Sequence, residues 1–120
     1  MIPVLVIDDT QEILEILKTY LTINGFHVTT VPSQKAALKV LEETTPSIIL
    51  LDILLGDGDG RELCKELKNS DKFKNVPIIL ISASPEKLKT YADYKANDFA
   101  EKPFNFQVLL KKIKVLLHRS

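Results

Sequence analysis

Asp8-Asp9, Asp52, Ser82 and Lys102 are the residues of this chain whose types suit joint chemistry. Three carboxylates brought close together repel, and some would take up protons unless a cation sat among them. With oxygen ligands and no His or Cys beside them, the cation that fits is a hard one. Mg²⁺ takes one or two carboxylates and fills its remaining positions with water and phosphate oxygens. The Lys102 ammonium would neutralise one side of a phosphoryl group, and the Ser82 hydroxyl would donate a hydrogen bond to it. Phosphoryl transfer needs mostly positioning and charge neutralisation. A carboxylate is a nucleophile able to form an aspartyl phosphate. All of this requires that one architecture bring four separated segments to one rim.

Short apolar runs supply that architecture. They are Val4–Ile7, Val28–Val31, Ile48–Leu51, Ile78–Ile81 and a weaker Asp98–Ala100. The unbroken, β-branched runs suit parallel strands covered on both faces. The stretches between them read as helices. The first spans roughly 10 to 24, with Ile13, Leu14, Leu17 and Leu21 at helical spacing and Asn24-Gly25 as its stop. Ser33 caps a second that ends before Pro46. Asp59, with Glu62 in a box-like arrangement, opens a third. Ser84-Pro85 opens a fourth. Asn105 opens the last, whose stripe is Leu109, Ile113 and Leu116 and whose staple is Phe104 onto Leu109.

Five β-α units imply an α/β sandwich: a five-stranded parallel sheet of order 2-1-3-4-5 with helices on both faces, flavodoxin-like. In such sheets the site lies at the carboxyl ends of the strands. There Asp8-Asp9, Asp52, Ser82 and Glu101-Lys102-Pro103 end four contiguous strands.

The length of 120 residues fits one domain, 1–120, with a core that needs no staples. Sixteen basic and sixteen acidic side chains cancel, which argues against direct nucleic-acid binding by this domain. One cysteine, Cys64, allows no internal disulfide, and no signal peptide is apparent. Together these place the expected location in the cytoplasm. The apolar runs are too short for a membrane span.

The elements Val-Ile-Asp8-Asp9, Leu-Leu-Asp52 with Gly58-Asp59-Gly60, Ile-Ser82-Ala83 and Asp98-Phe99-Ala-Glu-Lys102-Pro103-Phe104 resemble the receiver domain of bacterial two-component response regulators. The resemblance covers essentially the whole chain. It implies that Asp52 is the phosphoacceptor, fed by a histidine kinase or histidine phosphotransfer protein. It implies Mg²⁺ on Asp8, Asp9, Asp52 and the backbone carbonyl of Leu54. It assigns Ser82 and Lys102 to the phosphoryl oxygens, Phe99 to an aromatic switch working with Ser82, and a cis bond between Lys102 and Pro103. Signalling would pass through the face of helix 4, strand 5 and helix 5 to a downstream protein, or to an output domain outside this stretch of chain. The protein would be a monomer or a phosphorylation-dependent dimer. It would be a self-modifying signalling protein that also speeds loss of its own phosphate, rather than an enzyme.

Four features depart from the family pattern. Gly56 stands where proline is frequent, which implies a looser loop. Leu54 is apolar, Lys95 replaces a glycine, and the stretch from Ser82 to Lys102 is short, so the fourth helix is expected to be trimmed or reoriented. Blander readings apply elsewhere. Asp8-Asp9 would also serve as a cap for the first helix, with Asp9 able to cap and coordinate. Asp57 and Asp59 read as turn and cap residues. Cys64 reads as a buried filler, and the lysines of the last helix as a solvated face. His27 and His118 receive no role. Three other functions meet obstacles in these residues. A flavin carrier fails because Asp8-Asp9 would repel the flavin phosphate. An aspartate phosphohydrolase fails because Leu54 stands where the general acid belongs. A phosphorylation-independent binding module is disfavoured by the intact Asp9, Asp52, Ser82 and Lys102.

Overall fold

Strands β1 (Ile2–Ile7), β3 (Ile48–Asp52) and β4 (Ile78–Ser82) are apolar at successive positions because both of their faces are covered. Val4 and Val6, Ile48 and Leu50, and Ile79 and Ile81 enter one core. Leu5 and Ile7, Ile49 and Leu51, and Ile78 and Leu80 enter the other. This is the period-two division of a strand between two layers. The structure is a computed structural model that describes residues 1–118.

Strands β2 (Phe26–Val31) and β5 (Asp98–Glu101) complete an all-parallel sheet. In chain order its five strands lie 2-1-3-4-5, the order expected from the sequence. Helices α1 (Gln11–Ile23) and α5 (Phe106–Leu117) cover one face through Leu14, Leu17, Leu21, Leu109, Ile113 and Leu116. Helices α2 (Gln34–Glu43) and α3 (Gly60–Lys68) cover the other through Ala37, Leu41, Leu63, Cys64 and Leu67. Among the described residues no helix is long and apolar enough to cross a membrane.

Most helix boundaries follow their caps. Ser33 accepts from the Ala36 amide, Asp59 from Arg61, Ser84 from Lys87 and Asn105 from Val108. Gly25, at φ +93°, ends α1 in the left-handed region that favours glycine. Three local expectations are revised. Thr10, not Asp9, is the N-cap position of α1, and it makes no side-chain cap bond. Asp8 shapes that turn instead, accepting from the Thr10 amide at 2.8 Å. The Asp59 cap stands without a return bond from Glu62 among the described residues. Phe104 joins the core that contains Leu109, but its ring neighbour is Phe106, at 5.8 Å between centroids.

The stretch after β4 is trimmed as expected. Helix α4 (Pro85–Leu88) is a single turn, followed by a 3₁₀ helix at Tyr91–Tyr94. Lys95 then takes φ +65°, so the chain keeps the left-handed backbone with a side chain in place of glycine.

Candidate functional site

The strand register sets the rim. Ile7 pairs with Leu51, so Asp8 lies level with Asp52 one step beyond. Asp52 pairs with Ile81, and Ser82 with Glu101, so Ser82 and Lys102 each lie one step past a paired neighbour. Each polar group therefore begins where a strand ends, above the core rather than in it.

The three carboxylates converge. One oxygen from each of Asp8, Asp9 and Asp52 lies within 4.8 Å of the others. Asp8 and Asp52 are buried, at 0% and 4% exposure, while Asp9 is open to solvent. The Lys102 ammonium donates to Asp8 Oδ2 at 2.6 Å and lies 3.4 Å from Asp52 Oδ2. Two buried carboxylates thus share one cation. Asp52 Oδ1 also accepts from the Leu54 amide at 3.3 Å. Burial, then the neighbouring Asp8 charge, push the Asp52 carboxyl up from its ordinary 3.8 to about 6; Lys102 and the Leu54 amide work against this. A group held this way gains from additional positive charge. The set is all oxygen, with one open side at Asp9, which suits a hard divalent cation better than a soft one.

Ser82 is 1% exposed, and its Oγ accepts from the Ser84 amide at 3.0 Å. That leaves the Ser82 hydroxyl proton available for donation. The Lys102 amide donates to the Ser82 carbonyl, which fixes the two side chains relative to each other. The Lys102-Pro103 bond is cis, as the resemblance implied. Phe99 is half-buried; its ring lies 5.0 Å from that of Tyr91 and beneath Lys112 Nζ at 4.5 Å. Lys112 also donates to the Phe99 carbonyl and pairs with Asp98 at 3.3 Å. This lysine of the last helix is therefore packed, not merely solvated. Arg119 lies outside the described residues.

The segment after Asp52 forms a small hairpin in which Leu54–Leu55 pair with Gly58–Asp59. Leu54 is 55% exposed beside the rim, whereas Leu55 is buried. Gly60 follows at closest approach. A Cβ built there would stand 2.0 Å from the Asp52 carbonyl oxygen, and the Gly60 amide donates to the Ile53 carbonyl at 2.7 Å. The Gly58-Asp59-Gly60 element thus has two physical meanings, a helix cap at Asp59 and a missing side chain at Gly60.

Asp57 does more than turn the chain. Its two carboxylate oxygens accept from the Gln34 and Lys35 amides at 2.9 and 3.0 Å, capping α2 from the hairpin tip. Those amide bonds hold its carboxyl below the usual range. Nothing in the sequence spacing points to Arg61. It donates to Asp59 and to Thr90 Oγ1, at 3.1 Å for the latter, and lies over the Tyr94 ring. Cys64 is fully buried, and burial pushes its thiol up to about 12, as suits a filler.

Comparison with known proteins agrees with the geometry. A family model described as the response regulator receiver domain matches residues 4–114. The transcriptional regulatory protein GltR of Pseudomonas aeruginosa is 36% identical over 119 residues, which cover 98% of this chain and 49% of that protein. The alkaline phosphatase synthesis regulator PhoP of Bacillus subtilis is 32% identical, with 98% and 49% covered. The chain spans about half the length of these relatives. Among solved structures, a two-component response regulator from Clostridium difficile superposes with TM-score 0.90 at 26% identity, covering 99% of this chain and 98% of that one. A response regulator from Thermotoga maritima, in complex with Mg²⁺ and BeF, gives 0.88 at 30% identity, with 97% and 99% covered. Matches of this extent show the family outright: the chain belongs to the response regulator receiver domains of two-component systems.

Proposed function

We propose that the chain is a phosphorylation switch in which Asp52 accepts a phosphoryl group from a phosphohistidine on a histidine kinase or phosphotransfer protein. The observation behind this reading is Lys102 held between two buried carboxylates, Asp8 at 2.6 Å and Asp52 at 3.4 Å, with Asp9 open beside them. Asp8, Asp9, Asp52 and the Leu54 carbonyl would hold a Mg²⁺ ion. When bound, the ion supplies positive charge that lets carboxylates and phosphoryl oxygens share one site.

A carboxylate oxygen of Asp52 attacks phosphorus. An O–P bond forms, the P–N bond breaks, and the electron pair leaves on the imidazole nitrogen, which takes a proton. Lys102 exchanges its carboxylate partner for a phosphoryl oxygen, and Ser82 donates its hydroxyl proton to another. Phe99 responds to the movement of Ser82. The product is a modified protein, not a released metabolite, so the chain is a self-modifying switch rather than an enzyme. The shifted rim biases α4, β5 and α5, the surface offered to a downstream protein or an attached output domain. The named relatives are transcriptional regulators about twice as long, which favours such an output for this protein as well. The reading places it in the cytoplasm, as a monomer or a phosphorylation-dependent dimer.

The test is incubation with Mg²⁺ and acetyl phosphate followed by intact-mass measurement, with Asp52→Asn as control. The expected result is one added phosphoryl group, absent without Mg²⁺ and absent in the variant. If no adduct appears, beryllofluoride should still shift resonances at Ser82 and Phe99. Silence in both assays overturns the switch and leaves a phosphorylation-independent binding module.

A further inference from the structure

The hairpin after Asp52 has a tip made of Gly56-Asp57-Gly58, a composition that leaves its backbone loosely specified. Nothing lies within 4 Å of a Cβ built at Gly56, so packing does not hold the tip there. Buried Leu55 fastens one side of the hairpin, and the Gly60 amide closes its base on Ile53. Among the described residues, the hydrogen bonds tying residues 55–58 to the rest of the molecule are the two that Asp57 accepts from Gln34 and Lys35. These partners lie 23 and 22 residues away in sequence, at the first turn of α2.

The same hairpin begins at Leu54, whose amide donates to Asp52 Oδ1. A shift of the hairpin therefore moves a hydrogen-bond donor of the central carboxylate. A glycine where proline is frequent should loosen this loop, and Asp57 counters it by using the exposed amides at a helix start, which favour an anion. Helix α2 meanwhile has a second, independent cap in Ser33, whose Oγ accepts from the Ala36 amide at 3.1 Å. The helix can thus be uncapped without touching the hairpin.

We propose that Asp57 is a positioning residue for Asp52: its cap on α2 fixes the hairpin, and the hairpin fixes the backbone groups that frame the acceptor. The inference rests on the acceptor reading above for its consequence, but not for its geometry.

The experiment compares Asp57→Ala, Asp57→Asn and Ser33→Ala with the parent chain. Amide hydrogen exchange at Leu54 and Gly60 is measured in metal-free protein, and half-saturating Mg²⁺ is measured by titrating amide shifts. In Asp57→Ala, exchange at both amides should accelerate about fivefold, comparable to the loss of one cap. Its Mg²⁺ affinity should fall roughly tenfold, as for an outer-shell support of a metal site. Asp57→Asn keeps one acceptor oxygen and should fall between. Ser33→Ala should lower the melting temperature yet leave Leu54 exchange and Mg²⁺ affinity unchanged. Equal effects from Ser33→Ala and Asp57→Ala would reduce Asp57 to an ordinary helix cap and overturn the proposal. So would unchanged exchange in Asp57→Ala. If the parent chain takes no phosphoryl group, the switch reading fails, while the metal-free exchange comparison still decides whether Asp57 fixes the hairpin.

Discussion

Residues 48–60 and residues 83–97 both lead away from the carboxylate rim, and they are held in different ways. The first stretch is a fully buried strand, a hairpin fastened to α2 through Asp57, and a glycine packed on the Asp52 carbonyl. The second is one turn of helix, a four-residue 3₁₀ helix, and Lys95 in the left-handed region. Helices this short gain little from their own hydrogen bonds and depend on packing. Here that packing comes from Leu88 and Ala96, with Tyr91 half-buried. Local opening therefore needs less free energy in the second stretch than in the first. The proposed switch would use that asymmetry, since a rigid rim reports a charge change best to a neighbour that yields. Arg61 spans the two, linking Asp59 to Thr90 and Tyr94.

The contrast is tested most severely at Gly60. Gly60→Ala places a methyl group 2.0 Å from the Asp52 carbonyl oxygen, against backbone that cannot swing aside as a flexible side chain would. A loss of roughly 3 kcal/mol or more is expected, in the range of overpacked cores. Denaturant unfolding measures it, and a loss under about 1 kcal/mol would show that the first stretch yields after all.

Asp52→Asn should act in the opposite direction. The Asp52 carboxyl is raised to about 6 in the folded protein, against 3.8 ordinarily. The native state thus holds this proton more tightly than the unfolded chain. The stabilisation is full below about pH 4 and is lost as pH rises through about 6. Without divalent cations, Asp52→Asn should match the parent near pH 4 and exceed it by about 2 kcal/mol at pH 7.5. Added Mg²⁺ should narrow the gap by stabilising the parent more than the variant. A gap independent of pH would mean that the rim is not charge-strained.

The smallest effect is expected at Lys95, in the yielding stretch. A side chain in the left-handed region costs about 1 kcal/mol, and glycine gives back part of that through its freer unfolded chain. Lys95→Gly also loses the ammonium bond to Asn69 Oδ1. A net gain of about 0.5 kcal/mol, with unchanged phosphoryl uptake, is the expected balance. A net loss would show that the Lys95–Asn69 contact outweighs the backbone strain.

The strands and the rim were legible because each rests on local pattern, and the sheet order followed from the arrangement common to five β-α units. Unbroken runs such as Ile48–Leu51 announce strands covered on both faces, and polar residues directly after them must fall on one edge. Caps at Ser33, Asp59, Ser84 and Asn105 were legible for the same reason, since donor and acceptor lie within three residues. The Asp57 cap on α2 and the Arg61 bond to Thr90 were not, because those partners are 22 to 29 residues away and no spacing rule connects them. The cap reading open to Asp8-Asp9 beside their metal role falls elsewhere, since Thr10 is the cap position of α1 and Asp8 takes its amide. Lys112 reads with the other lysines of the last helix as a solvated face, because no spacing rule can show Phe99 beneath it.

The aromatic residues around the yielding stretch have an optical consequence. The chain has no tryptophan and three tyrosines. Two of these, Tyr91 against Phe99 and Tyr94 beneath Arg61, lie within the segment between β4 and β5, while Tyr20 rests on Phe106 in the opposite layer. Ultraviolet emission from the unlabelled protein is therefore weighted toward the segment between β4 and β5, with one tyrosine elsewhere as an internal background. If Asp52 switches that segment as proposed, the change should be visible in the intrinsic light, in real time and without adding a probe.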